Sequence, residues 1–485
     1  MPAWTDAYEG FVRPILEQED VVGLAVAVAD AGRPVYFGGF GHRDRERGLP
    51  VTEHTLFGIG SITKSFTAVA IMRLQEEGRL SVDDLVTRWV PELRVPHSGG
   101  ATPMRVHHLL SHSSGLPPLP TLRAALTRSL MADPDVTEET RKKLLAPVDT
   151  FDELVAFLNA QGIEPLGRPG EVFSYSNDGY ALLGLIVERA SGERYEDCVA
   201  SRVLAPAGMA ETVFDIAPHV DGPDTTRLYN PKKSDKGPQT AYESGPWWDA
   251  GPMTAAGFLR SSAHDMLRYL EIYRTGGAVG AARILTPESV REMVAPRILC
   301  GARMHYGYGL MITADHAGAR LVEHGGNIKG AAAWMTAAPE RGLTAVGLSN
   351  LSGAPTSRLL LGAVNAALGL SPARLRAEFP ASFEPAVALS EYEGVYASGE
   401  DTRLEVRAGE GGLVIGGGRD DDRYPLRPVE PDAFVYSAHG DQSYIRFLRA
   451  PDGAISAVAA HFRVVRRVAD LDPDVPTAQA GGGGR

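Results

Sequence analysis

The sequence predicts an α/β (α+β) sandwich, in which an antiparallel sheet flanked by helices lies beside a further helical region, followed by a small all-β barrel. Three observations carry this. Apolar, strand-like runs occupy 21–29 and 34–39, give way to a long stretch of helical periodicity, and return at 306–312, 320–323, 331–337 and 343–348. Strands at both ends of a helical middle imply a sheet assembled from sequence-distant pieces with helices packed on it. A proline-rich stretch at 371–387, with Pro372, Pro380 and Pro385, then separates this unit from a run of short alternating segments divided by Gly, Asp and Pro.

In chain order, an Asp-Ala-Gly-Arg turn at 30–33 joins the first two strands into a hairpin. From Ser61 the period changes: Ile62, Phe66, Val69, Ala70 and Leu74 recur at helical spacing and Gly78 supplies the stop, so 61–77 reads as a largely buried helix. Further helices are expected at 106–111, 151–160, 179–190, 195–204, 263–274 and 357–368. Beyond the linker, 392–397, 402–407, 412–415, 433–437, 444–448 and 457–468 read as strands of the barrel, and the charged run Asp420 to Asp422 as a solvated turn within it. After Asp470 the chain runs through Pro and Ala into four consecutive glycines, too little apolar surface to offset the entropy of ordering. The expected organisation is therefore 1–370, linker 371–387, barrel 388–469 and disordered tail 470–485.

At 485 residues the chain exceeds one ordinary core, and 44% hydrophobic with 22% charged residues is the composition of a folded protein. A net charge of -12 without a Lys/Arg cluster argues against nucleic acid and anionic lipid as partners. The start, Met-Pro-Ala-Trp-Thr-Asp-Ala-Tyr-Glu, has neither the basic residues nor the apolar run of a secretory signal, and no long uncharged apolar stretch follows; a cytoplasmic protein is expected. Cys198 and Cys300 make no metal or redox spacing. His108 and His112 stand four apart without the Glu of a zinc-protease helix, and neither a metal nor a cofactor is expected.

Three clusters can carry chemistry. In Phe-Gly-Ile-Gly-Ser61-Ile-Thr-Lys64 a strand hands over to a helix, where positions i and i+3 share a face and let the Ser61 hydroxyl meet the Lys64 amine. The helix N-terminus adds a positive field that lowers a lysine pKa and stabilises an oxyanion. Only seven of the 48 basic residues are lysine, so the chain writes arginine wherever a bare positive charge suffices. A partly buried lysine can surrender its proton and arginine cannot, which is what a general base requires. The alternative is a helix-capping serine beside a salt-bridged lysine. In Phe173-Ser-Tyr175-Ser-Asn177, extended backbone points Tyr175 and Asn177 the same way, and a phenol of lowered pKa can relay a proton; a buried tyrosine with an asparagine cap is the alternative. In Glu323-His324-Gly325-Gly326-Asn327 two glycines let a substrate approach the backbone, whose N–H can hold an oxyanion; alone this reads as a turn.

Together, and in this order, Ser61-x-x-Lys64, Tyr175-x-Asn177 and His324-Gly-Gly resemble the family of serine β-lactamases, penicillin-binding D-Ala-D-Ala carboxypeptidases and their esterase relatives. His107-His-Leu-Leu-Ser-His-Ser-Ser-Gly-Leu116 and Tyr175-Ser-Asn-Asp-Gly-Tyr-Ala-Leu-Leu-Gly184 are similar to segments of the class C branch. The resemblance covers about residues 10–370 and implies a β-lactamase/transpeptidase-like fold; the barrel resembles the lipocalin-like domain appended to some of these hydrolases. It implies Ser61 as nucleophile, Lys64 and Tyr175 handling its proton, Asn177 orienting Lys64 or a substrate amide, His324 supporting proton transfer or substrate contact, and an oxyanion hole from the N–H groups of Ser61 and Asn327. Where the family has Lys-Thr-Gly this chain has His324-Gly325-Gly326. A mostly neutral histidine holds a substrate carboxylate less well, which favours the esterase, D-aminopeptidase and peptide-cyclising relatives.

The expected activity is that of a serine hydrolase working through a Ser61 acyl-enzyme on a small-molecule or peptide ester or amide. D-amino-acid peptidase, weak β-lactamase, peptide-cyclising thioesterase and a catalytically silent binding module are the alternatives. Gly325 and Gly326 are assigned to substrate binding, as are Trp247 and Trp248 of the Gly/Pro loop 245–252, which with the insertion 117–148 can line an acyl pocket or simply pack on the surface.

Overall fold

The computed structural model describes residues 2–469 apart from 220–221, 223, 233–239, 380–382, 386, 401, 410–411, 418–422 and 439–440. The tail and the Asp420 to Asp422 turn lie outside the described residues.

The first unit is built on a nine-stranded antiparallel sheet. From one edge to the other its strands are Ile298–Gly301, Met304–Tyr306, Met311–His316, Ala319–Ile328, Ala331–Ala338, Leu343–Ser349, Gly23–Asp30, Arg33–Asp44 and Leu49–Pro50. The last strand of the unit in sequence therefore zips against the first, in the register Leu24↔Ser349 through Asp30↔Leu343. This is the assembly from sequence-distant pieces expected from the strand pattern.

Gly23–Asp30 is buried on both faces, and its alternation sorts two cores. Leu24, Val26 and Val28 join Tyr8 and Val12 of the Thr5–Gln18 helix and Leu359, Leu360 and Val364 of the Thr356–Ala367 helix. Ala25, Ala27 and Ala29 face the larger core, where small side chains let the Ala263–Thr275 helix approach the sheet closely. Thr63–Glu76 buries nearly its whole circumference, including the polar Thr63, Lys64, Ser65 and Thr67, so it is the central helix of the domain.

Beyond 387 the chain forms a closed barrel of eight antiparallel strands, from Gly394–Ala397 to Arg463–Ala469, with the first and last paired. Its interior is filled by Tyr392, Tyr396, Phe434, Phe447 and aliphatic neighbours. Two details differ from the sequence reading. Arg423–Glu430 is a strand despite Pro425 and Pro428, and the single strand expected at 457–468 is a hairpin, Ile455–Ala460 and Arg463–Ala469. The turn between them, His461 and Phe462, has φ of 48° and 64°. Without Gly or Asn at these left-handed positions the turn carries no sequence signal, and it stores backbone strain.

Candidate active site

Ser61 lies in a single 3-10 turn, Gly60–Ile62, that runs straight into the Thr63–Glu76 helix. Thr63 fixes the turn from within: its hydroxyl donates to Gly60 O at 2.7 Å and accepts from Leu259 N at 3.1 Å. Gly60 has φ of 50°, and a Cβ there would stand 2.7 Å from Asn327 N. Glycine is therefore required at 60 both by conformation and by the approach of the Asn327 backbone.

Lys64 is completely buried and has three oxygen neighbours: Ser61 Oγ at 3.1 Å, Asn177 Oδ1 at 2.9 Å and Ala256 O at 2.6 Å. Burial holds the amine well below its ordinary pKa, and Arg463 lowers it further, while Glu400 and Asp178 act in the opposite sense. Asn177 is the first residue of the Asn177–Ser191 helix, whose cap is the Ser176 hydroxyl accepting from Gly179 N at 3.0 Å. With Ser176 as cap, the Asn177 amide is free to face Lys64. Ala256 belongs to a short turn of helix, Thr254–Gly257, that carries no recognisable motif; sequence reasoning missed it because the contact is made by backbone.

Tyr175 stands over this pair, with Lys64 Nζ 4.7 Å from its ring centre. Burial pushes the phenol pKa up, and the nearby Ser61 hydroxyl and Arg463 offset this only in part. This corrects the expectation of a phenol with lowered pKa: Tyr175 is held as a neutral hydroxyl.

His324 lies 1% exposed in an aromatic layer behind Tyr175, with ring centres 6.3 Å apart. Its Nδ1 donates to Gly325 O at 2.6 Å, so in the neutral ring Nε2 accepts from the Tyr306 hydroxyl at 2.8 Å. Burial and the nearby Lys64 push its pKa down to about 3, so it carries no charge. Both ring nitrogens are thus engaged away from Ser61, and His324 supports the layer beneath the phenol. His112, which the sequence offered only as half of a histidine pair, completes that layer. It sits in left-handed backbone at φ 55°, accepts from Ser176 N at 3.0 Å, and lies 4.1 Å from the Tyr175 ring centre.

The sequence reading gives Gly325 and Gly326 to a substrate; the structure gives them to the protein. A Cβ on Gly325 would stand 2.3 Å from the Trp334 ring, and one on Gly326 would stand 1.9 Å from Ile59 O and 2.9 Å from Ser61 N. What the glycines permit is close passage of the Ala319–Ile328 strand beside the Ser61 turn, which brings the Ser61 and Asn327 backbones together. Glu323, at 0% exposure, anchors that strand by accepting from Arg376, Trp334 and Thr336.

Trp247 and Trp248 are half-buried. Trp248 Nε1 donates to Asp133 Oδ2 at 2.7 Å, and Asp133, from the 117–148 insertion, forms a buried ion pair with Lys329, two residues beyond Asn327. The Arg260 guanidinium lies 5.5 Å from the Trp247 ring centre, whose edge also borders Gly58, just before Ser61. The insertion, the tryptophan loop and the Asn327 strand are therefore bolted together.

The largest surprise comes from the barrel. Tyr175 N donates to Phe462 O at 2.8 Å, Phe462 packs on Phe173, and the Arg463 guanidinium lies 4.6 Å from the Tyr175 ring centre while its Nε donates to Glu400 at 2.9 Å. The strained turn of the barrel's last hairpin thus ends at the phenol. No motif could have revealed this, since the residues are separated by nearly 290 positions and joined through main chain.

The Beta-lactamase family model matches residues 9–369. The chain is 30% identical over 348 residues to esterase EstB of Burkholderia gladioli, covering 65% of this chain and 81% of that one. It is 27% identical over 337 residues to penicillin-binding protein 4* of Bacillus subtilis (strain 168), covering 67% of each. Among solved structures, the octameric penicillin-binding protein homologue from Pyrococcus abyssi is similar at 29% identity and TM-score 0.68, covering 95% of this chain and 99% of that one. SurE is similar at 25% identity and TM-score 0.68, covering 96% and 99%. No helix among the described residues is long and apolar enough to cross a membrane. With a family model matching residues 9–369, most of its length, the chain belongs to the Beta-lactamase family.

Proposed function

We propose that this chain is a serine hydrolase that forms an acyl-enzyme on Ser61 with ester or amide substrates. The observation that supports this best is the set of acceptors around Lys64. A neutral amine has two hydrogens and one lone pair. With the hydrogens donated to Asn177 Oδ1 and Ala256 O, the lone pair is left for the Ser61 hydroxyl, which is the arrangement of a general base beside its nucleophile.

In the forward step Ser61 Oγ adds to the substrate carbonyl and its proton passes to Lys64. The negative charge on the carbonyl oxygen is held by the backbone N–H groups of Ser61 and Asn327. Tyr175, kept protonated by burial, passes a proton to the leaving alcohol or amine and is reprotonated from Lys64. Water or an amine then attacks the acyl-enzyme by the reverse sequence. Asn177 orients Lys64, while His324 and His112 hold the Tyr175 ring.

A panel of p-nitrophenyl esters, D-aminoacyl anilides and nitrocefin tests this reading. Ester turnover above that of nitrocefin and the anilides is expected; no turnover of any member returns the chain to a binding module. A second reading, acyl transfer on peptides bearing a carboxylate, is favoured by Arg463, which restores beside Tyr175 a cation that His324 does not supply. Anilide or peptide turnover exceeding every ester would select it.

A further inference from the structure

Away from the Ser61 cleft, three residues remote in sequence meet at the surface: His54 in the loop before the Phe57–Gly58 strand, Glu211 in a turn, and His264 in the first turn of the Ala263–Thr275 helix. One ring nitrogen of each histidine and a carboxylate oxygen of Glu211 lie within 4.8 Å of one another. We propose that His54, Glu211 and His264 form a binding site for a divalent transition metal of the zinc type. Such an ion holds N and O donors at about 2.0–2.2 Å in a tetrahedron, so the three groups need only small side-chain rotations to close on it.

The surroundings are those of a prepared site. Ser262 donates its hydroxyl to Glu211 Oε2, which leaves Oε1 toward His54, whose Nδ1 is 2.6 Å away. The buried Asp265 accepts from Glu211 N at 2.9 Å and Thr212 Oγ1 at 2.8 Å, and its other oxygen stands 3.3 Å from His264 Nδ1. The same nitrogen lies 3.9 Å from Glu211 Oε2, so Asp265 holds the imidazole beside the glutamate. His264 N donates to Glu53 O at 3.0 Å, pinning the His54 loop to the helix end, and the Glu53 carboxylate lies 3.6 Å from His54 Nε2, the ring nitrogen opposite the one that faces Glu211. The chain draws most of its cations from arginine, yet the charge partners of Glu211 among the described residues are imidazoles. Arginine would make the stronger simple ion pair; imidazole is the group that also binds a metal.

The consequence is structural. Phe57–Gly58 pairs with Arg260–Ser261 in a two-stranded ribbon, Phe57↔Ser261 and Gly58↔Arg260, whose first strand leads into Ser61. An ion joining His54 to His264 would clamp both strands of that ribbon at the end opposite the nucleophile.

The test uses the full, untagged chain stripped with a chelator and titrated with Zn²⁺ in calorimetry and with Co²⁺ in visible spectroscopy. The expected result is saturable uptake of about one equivalent, with a Co²⁺ d–d band and a rise in Tm of about 2 °C or more at saturating zinc. Binding should be lost in His264→Ala and in His54→Ala with Glu211→Gln, and kept in His107→Gln with His108→Gln. Because the ligands are surface side chains, circular dichroism of each variant should match the parent. Absence of saturable binding, or its survival in His264→Ala, overturns the proposal.

Discussion

The Arg463 guanidinium, carried by the C-terminal barrel, lies 4.6 Å from the ring centre of Tyr175 in the Beta-lactamase family region and is held there by Glu400. Arg463 lowers the Lys64 pKa and Glu400 raises it. A base must be unprotonated, so kcat/KM is expected to rise with pH through the lowered Lys64 pKa and to fall away below it. Arg463→Ala should move that limb to higher pH and Glu400→Gln to lower pH. A barrel that merely packs on the domain would leave the limb in place, and pH-rate profiles of the two variants decide between these outcomes.

Lys64→Arg keeps a positive charge but removes the ability to accept a proton. A loss of about 10³-fold in kcat is expected, with folding retained as judged by circular dichroism, because a positioned general base contributes roughly 10²–10⁴-fold. A salt-bridging role for Lys64 would predict instead that arginine largely rescues activity relative to Lys64→Ala.

The Asp133–Lys329 pair is buried on both sides, at 1% and 2% side-chain exposure. Lys329→Met leaves the buried Asp133 carboxylate without its cation and should cost about 3–5 kcal/mol in denaturant unfolding; Asp133→Leu, which leaves Lys329 the Asp135 carboxylate at 3.8 Å, should cost less, and the double variant should recover much of the larger loss. Asp133→Leu also removes the acceptor of Trp248 Nε1 and should raise KM for bulky acyl groups more than for acetyl.

Burial pushes Asp178 up to about 7, and its Oδ1 has no hydrogen-bond partner. Raised above its unfolded value, this carboxyl binds a proton in the folded state that the unfolded chain has already released. Its contribution is therefore full below the unfolded pKa and is lost as pH rises from about 4 through about 7. Asp178→Asn should leave Tm near parent at pH 4 and raise it at pH 8, by about 2–4 °C per kcal/mol recovered. Thermal melts at the two pH values measure this directly.

How much of this was legible in the sequence follows from where each interaction is written. The Ser61–Lys64 pair was readable because helical spacing alone places both side chains on one face, and because lysine is scarce in this chain. Tyr175 and Asn177 were readable as a pair, but the cap proved to be Ser176, since a hydroxyl one residue earlier matches the helix N-terminus and frees the amide. The phenol's raised pKa was not readable, because burial by His112, Tyr306 and the barrel is a tertiary fact. Gly325 and Gly326 announced close approach correctly, yet what approaches is Trp334 and Ile59. The His461–Phe462 turn was hidden by residues that rarely take left-handed backbone, so a hairpin read as one strand and Arg463 went unnoticed.

The measurement that bears most directly on the central claim is intact-mass and peptide mapping after reaction with a fluorophosphonate probe. A single adduct on Ser61 is expected, absent in Ser61→Ala and formed far more slowly in Lys64→Arg. An unlabelled parent, or an adduct that persists in Ser61→Ala, would contradict the account.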